Sequence, residues 1–114
     1  MGGAPAATTI GDPRVAAALR GFVGRLRRTY RIERILLFGS RARGDSLESS
    51  DVDLVVVSPD FQGVGWRERI IAVSRMWKGP VRLEPLCYTP EEFRNRSKEL
   101  SIVRRAREEG VRLA

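Results

Sequence analysis

Between two apolar runs, Ile35-Leu36-Leu37-Phe38 and Leu54-Val55-Val56-Val57, the chain reads Gly39-Ser40-Arg41-Ala42-Arg43-Gly44, then six residues, then Asp51-Val52-Asp53. Apolar runs of this length, bounded by turn residues, are strand signals. Successive side chains of a strand point to opposite faces, so Asp51 and Asp53 share one face while Val52 and Leu54 point into a core. Two carboxylates on one face repel each other unless a cation sits between them. A glycine-serine turn beside them offers backbone N–H groups to a phosphate. The link between the runs is too long for a tight hairpin, and such length is normally spent on a functional loop. Together these features point to a site for a metal-bound nucleotide.

The rest of the chain alternates helix and strand. Asp12-Pro13 is a helix start, with aspartate as cap and proline at the first helical position. Val15, Ala18, Leu19, Phe22, Val23 and Leu26 continue from it at helical spacing to about Tyr30. Strands follow at 32–38 and 51–57, and Ser58-Pro59-Asp60 ends the second. Residues 66–77 form a second helix with Ile70, Val73 and Trp77 on its buried side, stopped by Gly79-Pro80. A third strand at 81–88 contains Pro85, which belongs at a sheet edge or a bulge. Thr89-Pro90-Glu91-Glu92 has the form of a capping box and opens a helix running to Ser97 or Leu100. Residues 101–109, closed by Gly110, form a last helix or its continuation. The expected architecture is α/β (α+β): a small mixed sheet of about three to four strands flanked by helices. One domain at 12–114 follows a flexible leader at 1–11.

Composition narrows the chemistry. With 114 residues the chain has the length of one domain, and none of its apolar runs approaches the ~20 residues of a membrane span. The first ten residues lack the basic start and apolar stretch of a signal peptide. Cys87, the single cysteine, fits a reducing cytoplasm and reads as a buried, inert thiol in a core strand. The chain has no histidine, which excludes Ser-His-Asp and Cys-His catalysis and histidine-ligated zinc. Chemistry is left to carboxylates, hydroxyls, arginines and a hard metal. The net charge of +7 suits a nucleotide, a nucleic acid or an acidic partner, and equally a compositional bias toward arginine. Without a stacking strand or a helix-turn-helix signal, nucleic-acid binding ranks behind the nucleotide reading.

Nucleotidyl transfer needs a triphosphate on a divalent cation, an attacking hydroxyl and stabilised charge on the leaving pyrophosphate. Magnesium takes a few carboxylates, phosphate oxygens and water. Asp51 and Asp53 supply two carboxylates, and Glu84, on the face of Arg82 in the third strand, is the best-placed third. Spacing alone leaves Glu84 equally readable as a surface ion-pair partner of an arginine. Ser40 can meet the terminal phosphates, and Gly39 and Gly44 allow close backbone approach or positive φ. Arg41 and Arg43 either neutralise triphosphate charge or decorate a solvated turn, the latter reading being stronger for Arg43. Asp45 and Glu48 read as solvated loop charges.

The ordered pair Gly39-Ser40 and Asp51-Val52-Asp53 resembles the signature of the minimal nucleotidyltransferases of the DNA polymerase beta superfamily. The stretches Glu84-Pro85-Leu86-Cys87-Tyr88-Thr89-Pro90-Glu91-Glu92-Phe93 and Arg107-Glu108-Glu109-Gly110-Val111 are similar to small stand-alone members. The resemblance implies that Asp51 and Asp53 ligate Mg2+ (two ions), that Gly39 and Ser40 hold the triphosphate of ATP, and that Glu84 occupies the third carboxylate position. It further implies transfer of AMP to a hydroxyl, a tyrosine of a separate HEPN-type helical toxin, with the chain as antitoxin. The alternative is a non-catalytic nucleotide-binding antitoxin that neutralises its partner by binding. A second copy of the chain is a further possible partner.

Overall fold

The computed structural model describes residues 12–44, 46–47, 49–98 and 102–114. The leader expected at 1–11, the loop charges Asp45 and Glu48, and Leu100 lie outside them. Helix α1 spans Pro13–Thr29 and is capped as its sequence requires: the Asp12 carboxylate accepts from the Arg14 N–H at 2.9 Å. Strand β1 (Arg34–Phe38) leads through Gly39 into a single helical turn, α2 (Ser40–Arg43). Strand β2 (Val52–Val57) ends in a 3-10 turn at Pro59–Phe61, and α3 (Trp66–Ser74) crosses to β3 (Leu83–Tyr88). Helices α4 (Pro90–Ser97) and α5 (Ile102–Glu109) and the two-residue strand β4 (Val111–Arg112) complete the order.

The sheet runs β3-β2-β1-β4, with β2 and β3 parallel and the other neighbours antiparallel. It is a mixed four-stranded sheet, and the architecture is the α+β class expected. Both faces of β2 are covered. Val52, Leu54 and Val56 pack with Ile35 and Leu37 against Val15, Leu19, Phe22 and Leu26 of α1 and Val73 of α3. Val55 and Val57 pack with Leu36 and Tyr88 against Phe93 of α4 and Val103 and Ala106 of α5. The aspartate face of β2 therefore becomes a second apolar layer two residues further along the strand. Along β2, only Asp53 interrupts the burial.

Pro85 sits in the outermost strand, as proline in a sheet must. The Val52 N–H bonds the Arg82 carbonyl at 2.9 Å and the Ser58 N–H bonds the Tyr88 carbonyl at 3.0 Å. Even-numbered residues of β3 therefore face β2, and the missing Pro85 N–H lies on the free edge, where its loss breaks no ladder bond. The second helix stops at Ser74, earlier than the expected 77, and an irregular connection leads on through Gly79-Pro80. Trp77 leaves the helix yet stays on the core, edge-to-face with Phe22 at 5.4 Å, its indole N–H bonding the Val81 carbonyl.

Candidate active site

One end of the sheet, where β1 finishes and β2 and β3 begin, gathers the residues singled out in the sequence. Register sets Asp53 opposite Phe38 of β1 and opposite Glu84 of β3. Asp51 lies two residues before Asp53 on the same face, just outside the strand. Above this floor opens a cleft of about 260 Å³. Phe38, Asp53, Glu84 and Leu86 form the floor, Gly39, Ala42 and Arg43 one wall, and Arg105 and Glu109 of α5 the other.

Gly39 is dictated by this geometry. Its φ of 76° and ψ of −159° lie in a region that is essentially glycine-only. A Cβ there would also sit 2.5 Å from Asp53 Oδ2. The chain thus turns directly over the carboxylate, and the Ala42 and Arg43 N–H groups turn back to the Gly39 carbonyl at 3.1 and 3.2 Å. Ser40 opens the helical turn, and Gly44 closes it at φ 81°.

Arg41 corrects the sequence reading. It is 1% exposed, and its Nε and Nη2 donate to the Ser50 carbonyl at 3.0 and 2.7 Å. Instead of offering charge to a triphosphate from the cleft, it ties the glycine-serine turn to the residue before Asp51. Arg43 is the arginine of the turn that lines the cleft.

The carboxylates crowd one another. Burial, then the neighbouring Glu84 and Asp51, push Asp53 above the usual carboxylate range, and Arg43 opposes them. Glu84 is exposed, stands opposite Asp53 in the sheet register, and lies 3.5 Å from Arg82 in the surface ion pair that its spacing also allowed. Among the described residues no three Asp, Glu or Cys side chains close into a group able to hold a metal ion by themselves. The three-carboxylate metal set expected from sequence is therefore open in this structure. The donors nevertheless fit magnesium, which takes a few hard carboxylates and fills its octahedron with phosphate oxygens and water. A cation held there would also favour the charged form of Asp53, which burial and then its carboxylate neighbours disfavour.

Sequence reasoning missed Arg105 and Glu109. They belong to a helix separated from the motif by half the chain, and i,i+4 charges of opposite sign read as a solvated face. It also missed Arg69 of α3, a 6% exposed arginine whose Nη1 meets Glu92 Oε1 at 2.6 Å and the Cys87 carbonyl at 3.3 Å. Cys87 is the inert thiol expected: burial pushes it up to about 12, with Arg69 opposing.

The chain is similar to several known proteins. Two proteins of Methanocaldococcus jannaschii, each named "Putative protein adenylyltransferase", are similar to the chain. One is 50% identical over 50 residues, covering 41% of this chain and 50% of that protein. The other is 32% identical over 60 residues, covering 51% and 61%. The chain spans about half the length of the curated relatives it matches. A crystal structure from Sulfolobus solfataricus, described as a putative nucleotidyltransferase, superposes with a TM-score of 0.54 at 25% identity, over 74% of this chain and 80% of that one. The nucleotidyltransferase domain model matches residues 19–113, which take in the turn over Asp53, the β2–β3 carboxylates and the α5 wall. With its motif, its sheet and the extent of that match in agreement, the chain belongs to the nucleotidyltransferase domain family.

Proposed function

We propose that the chain is a magnesium-dependent nucleotidyltransferase that moves AMP from ATP to a hydroxyl, with a tyrosine of a separate HEPN-type helical toxin as acceptor. The observation that carries the reading is the register pairing of Asp53 with Glu84 beneath Gly39, which sets two carboxylates under a backbone turn in an open cleft. The names of the two Methanocaldococcus relatives support a protein as the acceptor. The cleft lies just below the ~300–1,000 Å³ of typical ligand pockets. It suits the phosphate end of a nucleotide and leaves the nucleoside toward the acceptor. Cytoplasmic residence is part of the same reading. Among the described residues no helix is long and apolar enough to cross a membrane.

Asp51 and Asp53 would hold the magnesium, with Glu84 as third carboxylate; when bound, the ion supplies positive charge against the triphosphate. The Gly39–Ser40 turn holds the terminal phosphates, and Arg43 adds charge from the same wall. The acceptor oxygen attacks the α-phosphorus while the bond from that phosphorus to the oxygen bridging toward the β-phosphate breaks. Pyrophosphate leaves with the bonding pair, and the hydroxyl proton passes to the exposed Glu84 carboxylate. The products are an AMP ester of the acceptor and pyrophosphate.

Incubating the protein and a HEPN partner with magnesium and ATP labelled at the α-phosphate tests this directly. Label on the partner that disappears with Asp53→Asn is the expected result. Tight partner binding with no transfer would overturn the catalytic reading in favour of neutralisation by binding, and transfer that survives Asp53→Asn would overturn the assignment of the chemistry to this site.

A further inference from the structure

We infer that Arg105 is a triphosphate-binding residue, and that Glu109 is the partner it exchanges for phosphate. The inference rests on the nucleotide reading above and adds a function for the α5 wall. Arg105 lines the cleft opposite the Gly39–Arg43 turn, with Asp53 and Glu84 between the two walls. Its Nε lies 3.5 Å from Glu109 Oε2, and both side chains are well exposed, at 79% and 63%. An exposed pair at that distance is weak and opens readily. A guanidinium fork suited to bidentate phosphate contacts therefore stands beside a cleft that already holds three carboxylates, Asp53, Glu84 and Glu109.

The placement of α5 is built into the fold. Its buried side, Val103 and Ala106, packs on the sheet layer that contains Leu36 and Val55. Just beyond the helix the chain pairs with β1, Leu37 opposite Val111 and Leu36 opposite Arg112. With the inner side of the helix held to the sheet and its end stitched to β1, the backbone that carries Arg105 is anchored at the wall of the cleft whose lining includes Asp53. The cleft consequently has cationic groups on both walls, Arg43 and Arg105, so anionic phosphates between them meet guanidinium groups from two sides. Binding draws Arg105 away from Glu109, which is left in solvent at little cost because it is exposed.

The test is equilibrium binding of magnesium with a non-hydrolysable ATP analogue, compared with adenosine, to the wild-type chain, Arg105→Ala, Arg105→Lys and Glu109→Gln. Loss of a charge-assisted contact predicts that Arg105→Ala weakens the analogue by about tenfold or more. Adenosine binding should be unchanged, Arg105→Lys should recover part of the loss, and Glu109→Gln should bind the analogue at least as tightly as wild type. Analogue binding equal in wild type and Arg105→Ala would overturn the role of Arg105 and leave the nucleotide reading standing. Weaker analogue binding in Glu109→Gln would overturn the role of Glu109. A wild-type chain that binds no analogue with magnesium would overturn the nucleotide reading and this inference with it. The exposure of Arg105 keeps these variants foldable, and matching circular dichroism spectra confirm it.

Discussion

At the residue scale, the site is governed by Gly39 and Asp53 acting on each other. Gly39 holds a backbone conformation closed to other residues, and its missing side chain is the space that Asp53 Oδ2 uses. Gly39→Ala meets both obstacles and is expected to lose about 1–3 kcal/mol of stability, read by urea unfolding, together with the capacity to transfer label. Asp53→Asn should separate stability from function. It removes a charge that burial, Glu84 and Asp51 all disfavour, so the metal-free protein should melt higher at neutral pH while transfer is lost. An unchanged or lower melting temperature would mean that the crowding of carboxylates carries no energetic penalty. Both residues were legible in the sequence, because glycine beside serine and aspartates at alternate positions are local patterns. The burial of Arg41 was not legible: that its guanidinium folds inward to the Ser50 carbonyl depends on how the loop closes.

At the scale of elements, Arg69 joins three of them. From α3 it bonds the Val64 carbonyl at 2.8 Å, the Cys87 carbonyl at the end of β3, and Glu92 in the first turn of α4. Glu92 in turn completes the capping box with Thr89, accepting from the Thr89 N–H at 2.8 Å while the Thr89 hydroxyl accepts from the Glu92 N–H at 3.2 Å. Arg69→Met strips donors from two backbone carbonyls and a carboxylate, and should cost about 2–4 kcal/mol in urea unfolding, moderated because water still reaches Glu92. The pH dependence follows from the same pair. Hydrogen bonds from Arg69 hold Glu92 below its usual range. A lowered folded value means the stabilisation is complete above about pH 4.3, the ordinary glutamate value, and fades as acid protonates the group below it. Wild type should therefore lose more stability than Arg69→Met between about pH 5 and 3; parallel curves would refute the pairing as a source of stability. The capping box itself was readable from Thr89-Pro90-Glu91-Glu92. Its link to Arg69, 23 residues away, was not.

At the scale of the whole molecule, the sheet carries the floor of the cleft and the α5–β4 joint carries its far wall. Gly110 is that joint: its N–H bonds the Ala106 carbonyl at 2.8 Å, and a Cβ there would press on the same carbonyl and approach the Leu37 carbonyl to 2.9 Å. Backbone on both sides cannot yield as a side chain could. Gly110→Ala should cost about 1–3 kcal/mol, and by shifting α5 off β1 it should also weaken nucleotide binding, which calorimetry on the folded variant can read. A variant of full stability and affinity would show that the joint tolerates displacement. The two-residue strand β4 was invisible to periodicity, since Val111-Arg112 is too short to alternate. Its existence depends on β1 offering an edge. By itself the sequence determined the local features: the capped helices, the apolar strands, a glycine-serine turn, paired aspartates and a chemistry without histidine. These are set by nearest-neighbour sterics, hydrogen bonding and side-chain type, which act over a few residues. Tertiary structure alone decided that Glu84 stands opposite Asp53, that Arg41 is withdrawn and that Arg105 faces the cleft. Each of these depends on strand register and helix packing, where residues far apart in the chain compete for the same space.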